Sequence, residues 1–288
     1  MRRVAAHFRY FEAFMQQQAP VRLDDGSYRE PPIVWLSAKI AGRVVLAIAL
    51  IAFFVLCVRL SEVDLGKLAS GLPRLAAWAA RGWPPQLNEL DVMSLRALET
   101  VAIATVATTV ATILAFPLSV LISRNVMPWP WFGVPMRWLI NAFRGIDTVV
   151  FAILFVAAVG LGPFAGVLGM IVHSIGVIAK LYSEAIETVP LAPLEAAAMT
   201  GAGRTSIVTY ALLPSALPNL ASVSLYVWEA NVRTSTILGI VGAGGIGIEI
   251  KAAIDLLDFQ RLLTLTAIVL VMVTIIDQLS AWLRRRLV

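Results

Sequence analysis

Glu229 and Arg233 stand four residues apart inside the apolar run from Ser215 to Ile240. At that spacing they share one face of a helix, where they can neutralise each other or, when the pair opens, offer a guanidinium to an anion. A pre-paired arginine is less available to a ligand, so a helix-locking pair near the outer boundary is the favoured reading; Asn231 between them suits either role. Thr105, Thr108, Thr109 and Thr112 recur at i, i+3, i+4 and i+7, which sets a stripe of hydroxyls along one helical face. Such a stripe packs helices and bonds back to carbonyls more often than it lines a polar path. The run Gly242-Ala243-Gly244-Gly245-Ile246-Gly247 offers backbone amides to an anion, but no strand precedes it. A tight re-entrant turn or close approach of neighbouring chains is the simpler use of Gly242, Gly244, Gly245 and Gly247.

Other chemistries find no support. Cys57 is the single cysteine, and His7 and His173 are far apart in sequence, so no catalytic cluster and no metal site is assigned. Gly201-Ala202-Gly203-Arg204-Thr205-Ser206 lacks both the lysine and the preceding strand of a nucleotide-phosphate loop. No cofactor is therefore assigned to this chain.

These groups sit in a chain of 288 residues that is 59% hydrophobic and only 14% charged, with a mean hydropathy of +0.83. That composition belongs to polytopic membrane proteins, and it predicts an all-α membrane bundle. The net charge of +5 gathers at the ends of apolar runs, the positions set by the positive-inside rule rather than by nucleic-acid binding. Residues 1–43 read as a polar, basic cytoplasmic segment without a cleavable signal. Residues 44–60 read as a first span, 61–95 as an external interfacial segment, and 96–288 as a core of further spans. Within the core, Val101 to Ser123 carries no charge, and Pro117 should bend it. The uncharged stretch from Thr148 to Ala179 is too long for one crossing and must turn at Gly160-Leu161-Gly162-Pro163, giving spans at about 139–159 and 163–183. Ser215 to Ile240 and Arg261 to Trp282 complete about six crossings. That count leaves both termini and residues 184–214 in the cytoplasm.

Residues 184–214 read as two short helices outside the bilayer. Pro193 suits a first turn, Glu195 the positive end of the helix dipole, and Gly201 a C-terminal stop. A second helix over Thr205 to Leu213 leads to Pro214 and Pro218, which mark entry into the next span. Small side chains at Ala196 and Ala197 let this knob seat closely in another protein, although an ordinary helix hairpin would read the same way.

The order Glu195-Ala196-Ala197, three residues, Gly201, nine residues, then Ala211-Leu212-Leu213-Pro214 resembles the EAA signature of binding-protein-dependent ABC import permeases. Ala211 replaces the usual isoleucine. The runs Gly160 to Leu168, His173-Ser174, Lys180 to Glu187, Asn231-Val232-Arg233 and Leu238 to Gly247 narrow the likeness to the phosphonate permease branch, over about residues 95 to 285. Arg144-Gly145-Ile146-Asp147 departs from the Arg-Ala-Ile-Pro-Glu-like run of that branch. The resemblance implies a type I importer permease fold in a bacterial inner membrane. It also implies a second permease, the same chain or a close paralogue, two ATPase subunits that carry ATP and Mg, and an external phosphonate-binding protein. Glu195, Ala196, Ala197, Gly201, Leu213 and Pro214 would couple to the ATPase; Glu229, Asn231, Arg233, Thr105, Thr108 and Thr112 are candidates for the translocation path or its gate. An ion-coupled secondary transporter would also be apolar, but it would show inverted repeats, and no convincing halves are found. A membrane enzyme would need a ligand cluster or an activated nucleophile.

Overall fold

The computed structural model describes residues 21–22, 28–29, 38–126 and 130–287. Most of the polar segment read over residues 1 to 43 lies outside them, as do Pro128 and Trp129. Apart from an antiparallel pair of two-residue strands, Val21–Arg22 and Tyr28–Arg29, the described residues are helical or in connecting turns. The chain divides into two compact units at Leu72/Pro73.

The first unit contains α1 (Ala38–Leu60), which carries no charge from Val44 to Val58 and is long enough to cross a membrane. A helix without a polar face belongs in hydrocarbon. α2 (Leu65–Arg81) runs across the division and is strongly amphipathic: Leu65, Leu68, Leu72, Leu75 and Trp78 mark one stripe, while Lys67, Arg74 and Arg81 recur every seven residues on another.

The second unit is the bundle. Its spans are α3 (Leu90–Ile122), the pair α4 (Pro130–Gly145) and α5 (Thr148–Val159), α6 (Pro163–Glu187), α9 (Leu213–Leu238) and α11 (Phe259–Leu287). Between them lie α7 (Leu191–Met199), α8 (Arg204–Ile207) and α10 (Ile246–Asp255). α6 is the central helix, packed against α3, α4, α5 and α9, and α9 in turn packs against α11. Two apolar clusters fill the interior. One joins Met93, Met170, Val232 and Leu265 toward one end, and the other joins Ile122, Ile140, Ile178 and Leu212 toward the other.

Three boundaries differ from those expected. The span read over about 139 to 159 is two helices bent by 87°. Gly145 ends the first, and Asp147 caps the second by accepting a hydrogen bond from the Val149 N–H at 2.9 Å. An aspartate before a β-branched run is an N-cap signal, so the carboxylate that looked misplaced in the sequence starts a helix. The bent pair fits against α6 because α6 presents glycine. An added Cβ at Gly169 would meet Ala152 N at 2.6 Å, and one at Gly176 would meet Arg144 N at 2.6 Å. Gly169→Val therefore forces α5 off α6, at a cost of about 1–3 kcal/mol of overpacking; a lower unfolding midpoint in detergent checks this.

Second, Pro214 and Pro218 do not start a span. α8 runs through one π turn, Val208–Leu212, directly into α9 as a single helix. The Leu213 N–H reaches back five residues to Val208 O. This wider turn relieves the clash that proline makes with the carbonyl four residues earlier. Third, α7 begins at Leu191, so Glu195 lies beyond the first turn and out of range of the dipole effect assigned to it. The turn at Gly160 and Gly162, with φ of 93° and 143°, and the helix start at Pro163 fall where the sequence put them.

Candidate coupling segment and translocation path

Residues 122–126 and 186–215 gather at one end of the bundle. Arg124 N–H donates to Glu187 Oε1 at 2.8 Å, and Leu212 packs with Ile122, Ile186 and Val189. α7 projects from this end with no buried residue. Glu195 and Ala196 are exposed and Ala197 is half-buried, while Leu194 packs back onto the cluster that holds Ile186, Val189 and Leu212. Leu194 and Ala197 thus face inward and the rest of the helix is exposed. Gly201 follows at φ +77°, a left-handed turn that reverses the chain into α8. Leu213 is half-buried and Pro214 exposed. The surface is less smooth than three alanines suggest, since Met199 and Tyr210 are 89% and 81% exposed. Large apolar side chains left bare beside a small-residue helix suit a protein groove.

Along the bundle, the charged pair is present and larger than expected. Glu229 Oε1 accepts from Arg233 Nη2 at 3.0 Å and Glu229 Oε2 from Arg284 Nη2 at 2.7 Å, while Arg233 Nη1 lies 3.4 Å from the Asp277 carboxylate. Two guanidiniums and two carboxylates tie α9 to α11. Arg284 opens the basic run Arg284-Arg285-Arg286 in the last turn of α11, and its long side chain reaches back along the bundle to Glu229. Glu229 lies level with the middle of the bundle, since Trp228 reaches Thr105 of α3 at 3.0 Å and Asn231 reaches Ser174 of α6 at 2.9 Å.

Asn231 points elsewhere. It is buried and donates to Thr108 Oγ1 at 2.8 Å and Ser174 Oγ at 2.9 Å, clasping α9 to α3 and α6. The threonine stripe splits accordingly. Thr108 joins the clasp, whereas Thr105 and Thr109 bond back to the carbonyls of Val101 and Thr105 at 2.7 and 2.8 Å. All four threonines, with Ser224 and Trp228, line a cleft of about 370 Å³, and Trp228 Nε1 donates to Thr105 Oγ1 at 3.0 Å. Tyr182 and Ser224 hydrogen bond beside it. Glu229, Asn231 and Arg233 do not line this cleft, so the charged and hydroxyl candidates are separate features. His173 Nδ1 donates to Ile146 O at 2.8 Å and holds the break between α4 and α5.

The glycine run closes the other end. Gly242, Gly244 and Gly245 have φ of 83°, 89° and 75°, and Gly247 lies against Gly239, where an added Cβ would meet the Gly239 Cα at 2.8 Å. Its amides are already occupied: Gly245 N–H donates to Glu99 Oε1 at 3.2 Å and Ile246 N–H to Thr100 Oγ1 at 2.8 Å. The loop cradles a carboxylate of its own chain. Thr100→Val keeps the shape but strands the buried Ile246 N–H, at about 1–3 kcal/mol; faster amide exchange at α10 is the expected readout. Sequence reading missed the ion-pair ladder around this loop. Arg96 pairs with Glu99 at 2.7 Å and Glu249 at 3.5 Å, and Arg261 with Glu249 at 2.8 Å and Glu89 at 3.0 Å. The available signal was opposite charges flanking apolar runs that must end at one level.

Residues 115–288 match the family described as the binding-protein-dependent transport system inner membrane component. The chain belongs to that permease family. The permease is 47% identical to HtxC of Stutzerimonas stutzeri, named for a phosphite transport system, over 84% of each chain. It is 41% identical to the phosphate-import permease protein PhnE of Mycolicibacterium smegmatis over 71% of its own length and 39% of that protein's. It superposes on an inward-facing structure of the MetNI methionine ABC transporter with a TM-score of 0.63, at 22% identity, covering 70% of this chain and all of that one. The fold is that of a type I importer permease, as the resemblance implied. A permease of this kind resides in the inner membrane, works with other permease, ATPase and substrate-binding subunits, and is not itself the ATPase.

Proposed function

We propose that this permease carries a phosphorus oxyanion, of the phosphite, phosphate or phosphonate class, inward after delivery by an external binding protein. Two copies of the chain form the path, and two ATPase subunits hold ATP and Mg. The observation that carries the reading is α7, a helix with no buried residue held out from the bundle and joined through Gly201 to a helix that runs unbroken into the bundle. The end bearing Arg124, Arg137 and Arg284 to Arg286 faces the cytoplasm by the positive-inside rule, which puts both termini there. ATP-driven closure of the ATPases moves Glu195, Ala196 and Ala197 together and rocks the attached spans; hydrolysis reverses the motion. The names of the relatives support the substrate class.

The test is uptake by proteoliposomes holding the permease, its ATPase and its binding protein. ATP-dependent accumulation of phosphite, phosphate or a phosphonate is expected, with the binding protein's ligand setting which. Accumulation driven by an ion gradient without ATP would overturn the reading.

A further inference from the structure

A second polar cavity lies at the α7 end of the bundle, away from the threonine cleft. It is small, about 190 Å³, and lined by Arg124, Arg137, Asn141, Lys180, Ser183 and Glu187. At roughly 30 Å³ per water it holds about six waters, enough for a tetrahedral oxyanion and part of its hydration. Three cations face one carboxylate in the lining, and Glu187 is already engaged by the Arg124 N–H.

The carbonyl ends of α3 and α6 converge here, and bare carbonyls would repel an anion. They are covered. Arg137 Nε and Nη2 donate to Ile122 O at 2.9 and 2.6 Å, and Asn125 Nδ2 to Glu187 O at 3.3 Å. Lys180 is held by Glu184 at 3.2 Å. By contrast, the Arg124 guanidinium, the Asn141 amide and the Ser183 hydroxyl have no hydrogen-bond partner among the described residues. Ser183 is only 4% exposed and lines the cavity. A hydroxyl without a protein partner, in a cavity whose lining carries three cations, is free to donate to an anion there.

We propose that this cavity binds a phosphate-class oxyanion, either free in the cytosol or on a lipid headgroup. Arg124 and Lys180 supply the charge, and Ser183 and Asn141 the neutral hydrogen bonds. The site abuts Glu187, four residues before Leu191 opens α7, so an occupant touches the root of the projecting helix.

The experiment uses the full-length chain in nanodiscs of phosphatidylcholine alone, with labelled inorganic phosphate as probe. Saturable binding is expected, weakened about tenfold or more by Arg124→Ala, the equivalent of one hydrogen bond to a charged group, and abolished by Ser183→Asp, which puts a carboxylate in the cavity. Unchanged melting of the variants separates loss of the site from loss of the fold. If free phosphate does not bind, but phosphatidylglycerol co-purifies with the wild type and not with either variant, the proposal holds with the headgroup as the source. Wild-type protein that retains neither, or variants that retain both alike, overturns it. Binding is read without transport, so the outcome is independent of the import reading.

Discussion

Glu229→Ala is expected to destabilise the bundle by about 1–3 kcal/mol, the loss of hydrogen bonds to charged groups whose arginine partners stay 45% and 32% exposed, and to abolish uptake. The glutamate side chain is 12% exposed and neutralises Arg233 and Arg284 at once. Its loss leaves two guanidiniums with one carboxylate, Asp277, at 3.4 Å from Arg233. The two arginines then repel each other across α9 and α11. Thermal unfolding in detergent and uptake in proteoliposomes measure the two effects. A double variant, Glu229→Gln with Arg284→Gln, removes one charge of each sign and is expected to recover most of the stability. If the single variant melts like the wild type, the network does not hold these helices together.

Gly201→Val is expected to separate ATP hydrolysis from uptake while leaving the fold nearly untouched. The residue has φ +77° and open space where a Cβ would go, so the penalty is in the backbone alone. A left-handed geometry costs an L-residue about 1–2 kcal/mol, and a β-branched side chain adds to that. Such a penalty depopulates the turn roughly tenfold, and α7 no longer sits square to α8. Membrane insertion and ATPase assembly should be normal and uptake reduced by about that factor; Gly201→Asn, which tolerates the left-handed region, should retain most of it. Equal uptake by the valine and asparagine variants would remove Gly201 from the coupling argument.

The sequence made some of this legible and not the rest, for physical reasons. Spans such as α3 and α6 announce themselves because a run without charge can only be in hydrocarbon or a core. The turn at Gly160 to Pro163 was legible because positive φ and a missing N–H restrict the residue types that fit. The break at Asp147 was missed because hydropathy averages over it: α4 and α5 together have the length and apolarity of one crossing, and only the cap reveals two. The join of α8 to α9 was missed for the opposite reason. Proline normally breaks a helix, and no local signal shows that a π turn will accommodate it. The Glu229–Arg233 pair was visible from spacing, whereas Arg284 and Asp277 lie 55 and 44 residues further along the chain from their partners. The same holds for Asn231, whose partners Thr108 and Ser174 are 123 and 57 residues away. Spacing along one helix reveals neighbours on that helix, and assembly across three helices needs the fold.

The helix that begins at Arg204 reaches Glu229 without interruption, about 37 Å along its axis at 1.5 Å per residue. It is an oar with its blade outside the hull and its shaft in the oarlock of α6 and α11. A swing of about 5° at the handle sweeps the far end through about 3 Å over that length, as much as a hydrogen bond is long. The 2.7 Å bond between Glu229 and Arg284 is therefore within the stroke of a very small movement at the surface.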